Sequence, residues 1–246
     1  MPSSPKETNT RKTSPWRLGW SAARANLVPG LVLQTAAALL LVAYYYNDAV
    51  AEQLNTLAQF KKRSGLAYAA ASGMLFCGII PWLFRMAVAS LRPAHPANDL
   101  LFGIFWWSGM AVLTDTFYQV QAALWGDDTA TRTVLAKVAC DMLVFTPLLA
   151  APFNAMAHAW KALGFSLAAT RSELRGKWYR RIVLPNLVPN WMLWTPGMAI
   201  VYSLPTLLQL PVANLIGCFW ALLCTSIAAD GRTGENPGNP SAKDRR

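Results

Sequence analysis

Residues Leu135–Pro147 read LAKVACDMLVFTP. Lys137 and Asp141 stand about one helical turn apart in an otherwise apolar run that extends over Val134–Leu163. An apolar run of about 20 residues is long enough to cross a bilayer. One charge at the centre of such a helix costs about 2.5–3.5 kcal/mol on insertion scales, so it needs a partner or water. The stretch therefore fixes two expectations. The segment belongs to a membrane bundle, and the face that carries its charges turns inward.

The rest of the chain agrees with that reading. Of 246 residues, 54% are hydrophobic and only 14% charged, against about 25% charged in ordinary soluble domains. Apolar residues gather in runs and charges gather between them. Many of the eleven tryptophans lie near run ends, as in an interfacial aromatic belt. The runs are Ala25–Tyr46, Gly65–Leu91, Leu100–Trp125, Val134–Leu163, Ile182–Leu208 and Leu210–Ala229. They predict an all-α, multi-pass transmembrane bundle of about six spans. Four spans result if the first run is peripheral and the last two form one re-entrant unit. Strand alternation is absent, so a β-barrel is not expected. The polar stretch Asn47–Arg63 has Val50, Leu54 and Leu57 at helical spacing and is expected to lie along the surface. Pro81 is expected to kink the second run, and Pro185 and Pro189 to break the fifth, whose span should end near Pro205. The organisation is a basic tail (1–24), N-terminal helices (25–99), a main membrane domain (100–229) and a tail expected to be disordered (230–246).

The net charge of +10 resides mostly in the tails and one loop. There it sets topology and meets anionic lipid heads, so nucleic acid is not an expected partner. Six spans put the N-terminal tail, Arg92, the basic stretch Arg171–Arg181 and the C-terminal tail on one side, and Asp127, Asp128 and Arg132 on the other. Lys61–Arg63, reading KKR, dissents from this asymmetry. Residues 1–24 read first as a cytoplasmic tail and second as a mitochondrial presequence. The bacterial cytoplasmic membrane is the favoured location, with the mitochondrial inner membrane as the alternative. Cys77, Cys140, Cys218 and Cys224 all lie in apolar runs without zinc-site spacing and read as packing residues. There is no Gly-rich phosphate loop, no paired catalytic carboxylates and no HExxH site, so neither an enzyme nor a cofactor or metal is expected. His95 reads as solvated in its proline-flanked turn and His158 as a packing residue.

In the third run Ser108, Ala111, Asp115, Tyr118, Gln119 and Ala122 recur at helical spacing. They form a small-and-polar stripe that should face protein or water. Lys137 and Asp141 can pair with each other or across helices, where Arg85, Asp115, Tyr118 and His158 offer suitable groups. One reading is a polar path whose charges screen solutes. The other is polar glue that sets helix register, although interhelical hydrogen bonds average only about 0.6 kcal/mol in membranes.

The order of these features resembles the Mpv-seventeen family, which includes peroxisomal and mitochondrial inner-membrane proteins. That family has a Trp-Tyr pair, then Lys-x-x-x-Asp-Gln with a proline six residues past the Asp. Phe117-Tyr118, Lys137, Asp141-Met142 and Pro147 stand at those places. Near the C-terminus the family has Val-Pro, an Arg four residues on, often an Asn, and a Trp. Leu204-Pro205, Gln209, Asn214 and Trp220 match this spacing. The resemblance spans roughly Leu100–Ile227, with Phe117, Met142 and Gln209 departing from the family's residues. It implies a small multi-pass protein acting as a weakly selective channel.

The expected function is therefore a pore for small solutes or ions, built around Asp115, Tyr118, Gln119, Lys137 and Asp141, with Arg85 as an outlying member. Two alternatives stand beside it. One is a non-conducting structural protein whose basic loop binds lipids or partners, and the other is a proton-coupled transporter using Asp115 or Asp141. Expected partners are the bilayer, small solutes or ions, and further copies of the chain.

Overall fold

The computed structural model describes Trp20, Arg24 and residues 27–234, with side chains as far as Leu222. The remainder of the basic N-terminal segment and residues 235–246 lie outside these. No strand occurs among the described residues. Helix α1 (Leu27–Tyr46) is followed, after Asn47 alone, by α2 (Asp48–Gly73). A wide π turn (Met74–Ile79) leads from α2 into α3 (Ile80–Ala87). Next come α4 (Pro96–Trp125) and α5 (Thr131–Cys140). A second π segment (Asp141–Ala150) joins α5 to α6 (Ala151–Ala162). The short α7 (Leu167–Glu173) follows, then a third π turn (Tyr179–Val183) entering α8 (Leu184–Tyr202), and finally α9 (Thr206–Gly234). The last helix thus continues past Ala229 into the segment expected to be a disordered tail.

Side-chain pairings fix the directions. Trp82 donates to the Pro96 carbonyl at 3.1 Å, Gly78 abuts Gly103, and Lys61 reaches Asp115, so α2–α3 runs antiparallel to α4. Trp106 to Asn154 and Phe117 on Phe145 make α4 antiparallel to α5–α6. Gln34 to Leu193 and Tyr45 to Ser203 make α1 parallel to α8. The turns around Asn47, Gly126 and Ser203 consequently gather at one end of the bundle, where Thr206 donates to Asp127. The turns at 88–95, 163–166 and 174–178 gather at the other. The first is called the acidic end here and the second the basic end.

Gly65, at φ 54 and ψ −133, breaks α2 into helical halves of 48–64 and 66–73. The break falls where the polar stretch was expected to stop. That stretch is not wholly superficial, however, because Ala58 and Lys61 are buried. Only Lys62 and Arg63 of the basic triplet point outward, which weakens its dissent from the charge asymmetry.

The fifth span ends at Tyr202, near Pro205 as expected, but two prolines within it act differently from expectation. Pro185 and Pro189 do not break α8, which runs unbroken through Pro189 and Pro196. A proline lacks the N–H of the ordinary ladder, and a wide turn or an outside donor can serve the carbonyl it frees. Pro81 and Pro185 sit in the first turns of helices entered through π turns, and Pro147 lies within the longest π segment. Trp191 serves the Met142 carbonyl, five residues before Pro147 in the π segment, at 2.9 Å, and Gln34 donates to the Leu193 carbonyl in the turn before Pro196.

The bundle is apolar outside and polar within. Phe105, Leu124, Leu143 and Leu148 are exposed, whereas Lys61, Asp99, Asp115, Gln121, Lys137 and Asp141 are buried. Water would penalise so large an apolar exterior. Three helical stretches, Asp48–Ala87, Pro96–Trp125 and Thr131–Ala162, are long and apolar enough to cross a membrane, and Gly30–Tyr46 and Thr206–Leu222 are shorter apolar helices. The chain is an all-α integral membrane protein.

Candidate functional site

A chamber of about 170 Å³ lies at the centre of the bundle, walled by α2 and its π turn, α4, the Asp141–Ala150 segment, α6, α8 and α9. It has room for several waters. Small residues open it: Gly73, Ala111, Ala213 and Gly217 line it together with Met110 and Met198. Its polar lining comes from Thr114, Tyr118, Asp141, Thr146, Asn154, Asn190 and Asn214. Among the described residues Asp141 is its one carboxylate, and no lysine or arginine lines it.

The acid is held in place rather than left loose. Tyr202 donates its hydroxyl to Asp141 at 2.7 Å, and Thr146 donates at 3.2 Å from the next turn of the same segment. Gln121 donates in turn to the Tyr202 oxygen at 2.5 Å, and Gln121 and Tyr202 are fully buried. The Tyr118 ring meets the Tyr202 ring edge-on at 5.4 Å, and its hydroxyl points at the Met198 sulfur, 3.8 Å away. Tyr118, backed by Tyr202, thus roofs the chamber on its acidic-end side. Asn154 accepts from Trp106 at 3.0 Å, and Asn214 donates to Ser72 at 2.9 Å. The Asn190 side-chain oxygen is buried with no protein donor, so the lining keeps an unused acceptor.

The residues singled out from the sequence divide among several places. Tyr118 and Asp141 line the chamber. Asp115 is buried beside the chamber, one turn before Tyr118 on α4, where it pairs with Lys61 at 2.5 Å and accepts from Gln119 at 2.9 Å. Gln119 itself faces outward, because on α4 the inward position beyond Tyr118 falls to Gln121. Lys137 is buried but bonds neither to Asp141 nor to Asp115, and its electrostatic partners are Asp127 and Asp128 in the loop preceding its helix. A direct Lys137–Asp141 pair is thus not formed. Arg85 belongs to the opposite end, where it and Lys161 both reach Asp99. Of the family-like positions, Asn214 lines the chamber, Phe117 stacks on Phe145 at 4.0 Å, and Gln209 is buried and donates to the Leu204 carbonyl at 3.0 Å. Pro147 lends its carbonyl to the Tyr179 hydroxyl at 2.8 Å, Pro205 sits in the turn before α9, and Trp220 lies apart, against α1 and α8.

Lys61, Gln121, Tyr202 and Thr146 were not expected from the sequence. Lys61 had a visible signal, since it follows Leu54, Leu57 and Ala58 at helical spacing on an inward face. Tyr202 had none, being hidden in a proline-rich apolar run.

Asp128, in the loop at the acidic end, has its carboxyl held below the ordinary range, first by a hydrogen bond from Thr133 and next by the Ala130 N–H at 2.9 Å. That loop lies outside the apolar spans and can keep its charge.

Over 88 residues the chain is 35% identical to Protein SYM1 of Eremothecium gossypii, a match covering 35% of this chain and 44% of that protein. The matched stretch is thus less than half of the relative's length. No protein-family profile matches the chain. No solved structure matches it either. What stands is an integral membrane protein with a buried polar chamber, similar over about a third of its length to SYM1.

Proposed function

We propose that the chain is a divergent member of the Mpv-seventeen family and works as a weakly selective channel for small solutes or ions. The observation that carries this reading is the central chamber, polar in an otherwise apolar bundle and lined by Asp141, Asn154, Asn190 and Asn214. Packing alone does not call for hydrogen-bonding groups around empty volume, whereas a solute or a file of water does. With Asp141 as the one lining carboxylate and no cation beside it, the chamber favours cations and neutral hydrogen-bonding solutes over anions. Lys137, between the chamber and the Asp127–Asp128 loop, tunes the field at the acidic-end mouth. The helical passes all cross the bilayer, with the basic end on the cytoplasmic or matrix side. The location is the bacterial cytoplasmic membrane, or alternatively the mitochondrial inner membrane, which the likeness to a protein of a mitochondrion-bearing organism favours.

The test is conductance of the purified full chain in planar bilayers. Wild type should conduct with a preference for cations. Asp141→Asn should reduce that preference, and Lys137→Met should raise it. Silent bilayers with demonstrably folded protein would defeat the proposal. A proton-coupled transporter is the second reading, supported by the seating of Asp141 between Tyr202 and Thr146 on the chamber wall. It requires uptake that depends on a pH gradient, and pH-independent flux argues against it.

A further inference from the structure

A second hollow lies on the outside of the bundle at the basic end. It is a groove of about 930 Å³ between α4 and α6–α7, with walls that include Leu101, Phe105, Trp106, Met156 and Leu174. Its size is near the upper end of the about 300–1,000 Å³ typical of small-molecule sites. Its walls face outward, with Phe105 74% exposed, on the surface that meets hydrocarbon.

Three features set this groove apart from ordinary lipid-facing surface. The first is strain. Gly164 and Phe165 both occupy the left-handed region, Phe165 at φ 62. A bulky residue is uncommon there and persists only where its surroundings hold it. This backbone swings the Phe165 ring against Trp160 at 4.9 Å and Phe102 at 6.3 Å to complete one wall.

The second is a charge surplus at the wall. Arg85 and Lys161, both partly exposed, share the single buried carboxylate of Asp99, so the cluster carries one net positive charge. Lys161 stands 4.8 Å over the Phe102 ring that lines the groove. The third is the adjoining segment. Leu167, Thr170 and Leu174 of α7 line the groove, while Arg171 on the same helix and Arg175 just beyond it are exposed. The stretch 171–181 holds five cations and one acid, Glu173, which Arg181 already pairs at 2.8 Å.

We propose that this groove is a specific site for an anionic phospholipid. One acyl chain lies along the aromatic wall, and the phosphate sits on Lys161, Arg171 and Arg175. An apolar chain alone would need no cations, and a free phosphate would need no groove. A zwitterionic lipid would bring its own positive charge against the cluster. The site lies at the end of the bundle that the charge asymmetry assigns to the cytoplasmic face, where anionic lipid is met. It is separate from the chamber, with the Trp106–Asn154 hydrogen bond forming part of the wall between them. The proposal does not depend on whether the chain conducts.

The experiment uses the full chain in detergent, titrated with phosphatidylglycerol or phosphatidylcholine carrying brominated acyl chains, with tryptophan fluorescence read throughout. Brominated phosphatidylglycerol should quench at lower concentration than the choline lipid. The difference should shrink in Trp160→Phe, a variant that removes a reporter whose N–H makes no hydrogen bond. Neutralising Lys161, Arg171 and Arg175 together to Gln should weaken phosphatidylglycerol binding about tenfold or more and leave the choline lipid unchanged. Asp99 keeps Arg85 as its partner in that triple variant, so folding should survive. Ala157→Trp, which fills the groove and keeps every charge, should also abolish the preference. Equal quenching by both lipids, a preference that survives either change, or displacement of the lipid by glycerol phosphate alone would each overturn the site.

Discussion

Each half of α4 holds one buried carboxylate, Asp99 in its first turn at the basic end and Asp115 beside the chamber, and the two are treated differently. Asp115 has a single cation, Lys61, and both partners are almost fully buried, at 2% and 4% exposure. Asp99 has two cations, Arg85 and Lys161, which are 30% and 25% exposed. The first arrangement is neutral, closed and remote from solvent. The second is over-supplied with positive charge and open at its edge. A closed one-to-one pair pins helices together, because losing either member strands the other in a low-dielectric setting. An open two-to-one cluster tolerates the loss of one cation and keeps charge to spare for something outside the protein. The contrast assigns structure to the pair beside the chamber and recruitment to the cluster at the basic end.

The largest test of this contrast is removal of the lone cation. Lys61→Met should destabilise the folded protein by about 3–5 kcal/mol, because Asp115 is left charged and buried. Arg85→Met should cost less than about 1 kcal/mol, since Lys161 still neutralises Asp99. Equilibrium unfolding in mixed micelles measures both. Lys61→Met combined with Asp115→Leu should recover most of the loss. If Arg85→Met proves as damaging as Lys61→Met, the two clusters are not different in kind.

Between the two clusters, α2–α3 and α4 are held at close approach by glycines. A Cβ on Gly73 would stand 2.5 Å from the Trp107 carbonyl oxygen and would collide with the Ala111 methyl. A Cβ on Gly103 would meet nothing nearer than 3.5 Å. Gly73→Ala should therefore cost about 1–3 kcal/mol through overpacking, and Gly103→Ala close to nothing. Thermal unfolding of the two variants side by side checks this. A reversed order would mean that the crossing is not the clamp on which the Lys61–Asp115 pair depends.

Tyr202→Phe comes next. Its hydroxyl is the link between Gln121 and Asp141, and the variant leaves a buried carboxylate with Thr146 as its remaining partner. The expected loss is about 1–3 kcal/mol. Tyr118→Phe, whose hydroxyl meets only the Met198 sulfur, should lose less. Comparable losses would argue against the roof of the chamber being organised around Asp141.

The contrast between the two carboxylates also marks what could be read from the chain alone. The helical class and the inward turn of Asp115, Lys137 and Asp141 follow from the cost of charge in hydrocarbon, which depends on composition and period. Partner choice does not follow from those. Lys61 stood in a basic triplet that closed a stretch expected to lie along the surface, and only the packing of α2 on α4 buries it against Asp115. Asp99 follows a proline turn and carried no signal in the sequence, and the antiparallel course of α3 and α6 against α4 converges two cations on it. The continuity of α8 was missed because proline rules describe an isolated helix. Here π turns and side chains from neighbouring helices restore what the prolines remove.

The smallest effect belongs to Asp128, and it tests whether the structural role of the Lys61–Asp115 pair extends to the loop at the acidic end. Its carboxyl is held below the ordinary range by the Thr133 hydroxyl first and the Ala130 N–H second. Unfolded, it should titrate near the ordinary aspartate value of about 3.9. A carboxyl whose folded pKa is depressed contributes stability that is fully present above the unfolded value and is lost as the pH falls through the folded one. Wild type should thus be more stable than Asp128→Asn near neutrality, and the gap should close on acidification below the ordinary aspartate range. Thr133→Val, which removes the larger cause, should narrow the neutral-pH gap without removing it, because the Ala130 N–H remains. Unfolding midpoints of the three proteins across acid pH measure this. A gap that stays constant with pH would mean that Asp128 caps the turn by shape alone, and that structural electrostatics stop at the buried Lys61–Asp115 pair.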